Sequence, residues 1–205
     1  MNTNPSEVAD ALLDVRKAYR LLHNFQRSAL DAASYIGDRL GFPYEGGYPH
    51  FTSCRRGDGK GWLGLSAWDW LNLYFYEFHF MKQEEEDKLI HFSILLSSDT
   101  GYYLNESFAP DRDDPGTYPS AEQSKTKMGF IFYRQWLADY DSLFDNRQQA
   151  RDFLVDGKLP AMLHDGGVRG MVRDFSCLAG QEATNHLVME LIRFGELEGF
   201  LSITK

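Results

Sequence analysis

The sequence predicts an α+β fold in which an antiparallel sheet is covered by a long N-terminal helix and by C-terminal helices. Three observations predict it. Apolar residues recur every three or four positions up to Leu40, both parities of residues 68–81 are largely apolar, and the last third returns to helical spacing. With 43% hydrophobic and 15% aromatic residues in a chain of 205, there is apolar surface enough for one sizeable core. No stretch reads as an interdomain linker, so residues 1–205 are expected to form a single domain.

The N-terminal helix is the clearest element. Asn4, Pro5 and Glu7 suit the N-cap, first helical position and first turn of a helix. Behind them Val8, Leu12, Val15, Tyr19, Leu22, Phe25, Ala29, Ala33, Ile36 and Leu40 define one face. Gly41 and Pro43 mark its end, giving one helix over 5–40, or two with a slight break near Gly37. Residues 42–61 carry seven glycines or prolines and read as loop with a short strand near 48–55.

Residues 68–81 then read as a strand apolar on both faces, hence central in the sheet. A charged turn at 83–87 returns the chain along an antiparallel strand over 89–96, with a further short strand at 102–105. Prolines and aspartates make 107–127 a loop, followed by a strand over 128–133. Helices are expected over 134–144 and 147–155, a glycine-rich loop over 163–170, a last helix from 174 or 176 to about 194, and an edge strand over 200–203.

Charge is the most informative functional cue. The net charge is −9, and residues 69–122 hold twelve Asp/Glu against three Lys/Arg, a net −9 by themselves. That balance argues against binding nucleic acid, where phosphates must be neutralised. It favours a protein partner with a basic surface, met by Glu84, Glu85, Glu86, Asp87, Asp111, Asp113 and Asp114 with the neighbouring aromatic Tyr102. The leading expectation is therefore an acidic interaction module of the inhibitor or immunity type. Self-association through the sheet, as a structural homodimer, is an alternative. No apolar run approaches a membrane span, and two distant cysteines, Cys54 and Cys177, fit a reducing compartment, so a soluble cytoplasmic protein is expected.

Catalytic and ligand-binding patterns are sparse, and no cofactor is expected. His79 and His91, one on each arm of the hairpin and beside Glu77, are the nearest approach to a metal pair, but no spacing nominates a third ligand. Gly166 and Gly167 with Arg169 and Arg173 offer an anion-binding turn if a helix starts behind them, and residues 55–61 offer a second. Cys177 has His164 and His186 within fourteen positions in the chain, the raw material of a small hydrolase or nucleotide-handling enzyme with a non-standard His/Asp/Cys site.

Overall fold

A computed structural model describes residues 4–49, 74–85, 88–104, 115–135, 144, 147–159 and 167–201. Its frame is a five-stranded sheet: β1 (Tyr44–Pro49), β2 (Phe75–Glu85), β3 (Lys88–Ser97), β4 (Lys127–Gln135) and β5 (Arg169–Asp174). The strands lie side by side in chain order and every neighbouring pair is antiparallel. Helices α1 (Pro5–Leu40) and α4 (Gln181–Leu197) flank it, with the short helices α2 (Gly101–Leu104) and α3 (Arg147–Leu154). This is the α+β architecture the sequence predicts.

Pleating divides the sheet residues between two cores. On one face Phe78, Phe80, Phe92, Ile94, Phe130 and Phe132 pack with Ala29, Ala33, Ile36 and Leu40 of α1 and Leu187, Val188 and Leu191 of α4. On the other, Phe75, Leu95, Ile131 and Tyr133 pack with Tyr102 and Tyr103 of α2 and with Phe153 and Leu154 of α3. Cover on both sides is why the central strands carry apolar residues at both parities.

The ends of α1 follow their signals. The Asn4 side chain accepts from the Ser6 amide at 3.2 Å, and Gly41 closes the helix in the left-handed conformation (φ 73°). The helix runs unbroken through Gly37. The glycine there serves a close approach instead: a Cβ at Gly37 would meet the ring of Phe80, with Cδ1 at 2.6 Å.

Several element boundaries differ from those the sequence suggests. Strand β1 lies at 44–49, and residues 50–73, with the start of the expected 68–81 strand, are outside the described residues. Tyr102 and Tyr103 belong to a helical turn whose start is held by Asp99, which accepts from the Gly101 amide at 2.7 Å. Arg134 and Gln135 continue β4. Residues 136–143, most of the helix expected over 134–144, are outside the described residues. The amides of Phe200 and Leu201 both donate to the Gly195 carbonyl, ending α4 in a turn, and the Phe200 ring lies on Phe132 with centroids 5.7 Å apart. Residues 202–205 are outside the described residues.

Strand β5 falls where loop and helix start were expected. Gly170 is there because a ring needs the space: a Cβ on it would stand 2.9 Å from Phe153 Cε2. Gly129 on β4 is filled by the same ring, at 2.5 Å from Phe153 Cε1. Two glycines thus form the floor on which α3 seats Phe153, and a loop signal in sequence is a packing signal in space.

Candidate functional site

Polar residues collect on the second face of the sheet, on β1–β3. Glu77 of β2 is wholly buried, at 0% exposure. A carboxylate so placed needs partners. The Tyr48 hydroxyl of β1 donates to its Oε2 at 3.2 Å, and His79 Nε2 stands 3.4 Å from the same oxygen without hydrogen-bond alignment. His79 Nδ1 lies 2.9 Å from Ser93 Oγ on β3, its directly opposed residue in the ladder. The Tyr48 ring covers His79 with centroids 5.2 Å apart.

His91 occupies the same face one pair further along, opposite Met81, and stacks on Tyr133 of β4 at 4.7 Å. Burial holds its imidazole below the usual histidine range, the neighbouring His79 adds to the effect, and Glu45 opposes it. The hairpin therefore brings His79, His91 and Glu77 to one face, but with His79 and His91 diagonal rather than opposed. Among the described residues, no group of three or more His, Cys, Asp or Glu is arranged to hold a metal ion.

Ser93, His79 and Glu77 fall in the order of a nucleophile, a base and an orienting acid. Ser93 is nevertheless fully buried, and its strand is paired on both sides, with β2 and with β4. Ladder bonds engage the backbone amides that would otherwise form an oxyanion site. What the arrangement does chemically is give the buried Glu77 the hydroxyl of Tyr48 and His79 Nδ1 the hydroxyl of Ser93, across three strands. Cys177 offers no nucleophile either, since burial pushes its thiol up to about 11, leaving it protonated at neutral pH. His186 is exposed on α4, and His164 and Cys54 lie outside the described residues.

The expected anion site is corrected by the structure. Behind Gly167 comes strand β5 in place of a helix start. Both arginines are engaged: Arg169 Nε donates to Glu198 at 2.8 Å, and Arg173 grips Glu190 through Nε at 3.2 Å and through Nη2. The second candidate, residues 55–61, and Gly166 lie outside the described residues.

Of the residues expected to meet a basic partner, Tyr102 is a core ring, 3% exposed, with edge contacts to Tyr74, Tyr103 and Tyr118. Its aromatic character serves packing. Glu84 is bound in bidentate fashion by Arg134, with both N–O distances 2.9 Å. Glu85 ends β2, while Glu86, Asp87, Asp111, Asp113 and Asp114 lie outside the described residues.

A second feature went unremarked in the sequence because its apolar spacing looks like core. From Ser6 to Asn24 every residue of α1 is exposed, and full burial starts only at Ala29. This projecting arm carries Val8, Leu12, Val15, Tyr19 and Leu22 at between 41% (Val8) and 71% (Tyr19) exposure. At its root, Leu30, Ala33, Ser34 and Asp38 join Tyr44, Phe78 and Phe80 around a groove of about 230 Å³. Exposed apolar residues continuous along one helix face are a different matter from scattered ones. Only the length of helix that overhangs the sheet reveals them.

No curated protein and no solved structure matches the chain. Among the described residues, no helix is long and apolar enough to cross a membrane. One family model, PM0109, matches residues 5–193, so that the match begins with the first residue of α1 and takes in the whole arm. The chain belongs to the PM0109 family.

Proposed function

We propose that this chain is a protein-interaction module, and that the projecting arm of α1 is the element that meets a helix of its partner. The observation that supports the reading is the uninterrupted exposure of residues 6–24 together with their apolar face. A helix that only covered the sheet would stop where the sheet stops; this one continues for about 28 Å at 1.5 Å per residue. An amphipathic helix presented in this way binds by laying its apolar face against another helix or a groove. The few cysteines support a cytoplasmic setting for that encounter.

A basic protein docking on the acidic region is the second reading. It is favoured by the net −9 of residues 69–122, while the engagement of Glu84 by Arg134 and the burial of Tyr102 count against it. A small hydrolase or nucleotide-handling enzyme has less support, because Ser93 is inaccessible and the Cys177 thiol stays protonated.

Site-specific photo-cross-linking in the source cells tests the proposal. A photoreactive residue at position 12, on the apolar face, is expected to give a protein adduct of defined mass, and one at position 10, on the opposite face, is not. Equal labelling from both positions, or none from either, removes the arm as a binding element.

A further inference from the structure

We infer that Arg169 and Arg173 form a latch that closes the outer edge of β5 against strand addition by a second copy of this chain. Among the described residues β5 is the last strand of the sheet, with β4 on one side and no strand on the other. The Phe175 amide donates to the Thr126 carbonyl at 2.9 Å, which continues the β4–β5 ladder one pair beyond Lys127 and Asp174. In an antiparallel pair such bonds fall on alternate residues, so Arg169, Met171 and Arg173 also turn their backbone groups toward β4. Gly170 and Val172, with Val168 just before the strand, therefore present theirs along the outer edge. Such a row of open groups is what templates pairing with another chain.

Two of those three outer carbonyls are taken by arginine. Arg173 Nη1 donates to the Val172 carbonyl at 2.7 Å, and Arg169 Nη1 donates to the Val168 carbonyl at 2.8 Å. The same contact thus recurs four residues apart, each guanidinium lying against the carbonyl of the residue before it. The rest of each fork is held by the helix that packs on this face. Glu190 of α4 accepts from Arg173 Nε and Nη2, and Glu198 at the C-cap of α4 accepts from Arg169 Nε at 2.8 Å. A guanidinium can meet both demands because it is planar and carries five N–H donors. The helix thereby fixes two positive charges on the open side of the strand, and fixed charge is what blunts an edge. Two-fold pairing centred on Met171 would also set each chain's Arg169 against the other's Arg173, and like charges directly opposed are unfavourable. Without the arginines little opposes addition, since Gly170, Met171 and Val172 between them carry no charge.

Arg169→Thr combined with Arg173→Thr opens the edge while keeping residues that suit a strand. At equal concentration, sedimentation equilibrium of the full chain is expected to give this variant a mean mass about twofold or more above wild type. Association through the arm of α1 leaves the comparison intact, since both proteins carry the arm. Val172→Pro added to the double variant is expected to return the mass to the wild-type value, because proline removes an outward amide and no bond to β4. A folded double variant with the wild-type mass overturns the inference. Extra assembly that survives the proline also overturns it, because the new contact then lies elsewhere than at β5. The wild-type chain tests the latch without any substitution, even where the double variant does not fold. An Nη1 group held by a carbonyl rotates slowly, so NMR is expected to resolve separate Nη signals for Arg169 and Arg173. Arg20, exposed on α1, is expected to give one averaged signal. Averaged signals for Arg169 and Arg173 as well overturn the latch.

Discussion

Gly37→Ala sets two opposing effects of similar size against each other, and the structure decides between them. In an unconstrained helix the substitution is favourable by about 1 kcal/mol, because alanine loses less backbone freedom than glycine. Here the added methyl would stand 2.6 Å from Phe80 Cδ1, where carbon atoms prefer about 3.5–4.0 Å, so the ring or the helix must retreat by about 1 Å. The ring has little room to do so. Phe80 is buried, with Tyr44 5.3 Å away on one contact and Phe92 5.8 Å away on another. Overpacking of this kind costs about 1–3 kcal/mol, which leaves a net loss of about 1 kcal/mol after the helix gain. Urea unfolding followed by circular dichroism measures it as a lower midpoint at unchanged slope. The control is Phe80→Leu, whose smaller side chain vacates the contact. In that background Gly37→Ala should become neutral or stabilising, a coupling expected only of residues in contact. A Gly37→Ala protein more stable than wild type would refute the close seating of α1 on β2, and with it the anchor from which the arm projects.

Two further outcomes concern the polar face. Ser93→Ala removes the hydroxyl 2.9 Å from His79 Nδ1 and should lower stability by about 1–2 kcal/mol, read by thermal unfolding; an unchanged transition would mean that His79 finds another partner. For His91 the folded value lies below the unfolded one, so its contribution to stability is complete above the unfolded value of about 6.5 and is lost as pH falls through that value toward the depressed folded one. An NMR titration of the ring protons should place the His91 midpoint below that of a model histidine, and a midpoint above it would contradict the desolvation argument.

Much of the fold was legible because it rests on local chemistry. The cap at Asn4, the stop at Gly41 and the seam between them fix α1 by hydrogen bonding and periodicity alone. Apolar residues at both parities fix the central strands as covered on both faces. Glycine misled wherever its role was set from a distance. Gly170 reads as loop, but it is the seat of Phe153, which arrives from another element, and no window around residue 170 contains that ring.

The histidine pair shows how narrow the margin is in a site. A turn centred on Glu85 would set His79 against His91. The actual register pairs His79 with Ser93 and Met81 with His91, which displaces each partner by two residues, keeps both imidazoles on one face and gives His79 the hydroxyl of Ser93 instead. Composition could place negative charge in the middle of the chain, but whether a given carboxylate is open or held, as Arg134 holds Glu84, depends on strands far apart in sequence. The sequence by itself determined the fold class, the long helix and its heptad seam, because each follows from backbone preference and spacing. Only the tertiary structure decided which half of that seam is core and which half is surface, because burial is a relation between the helix and a sheet that ends before the helix does.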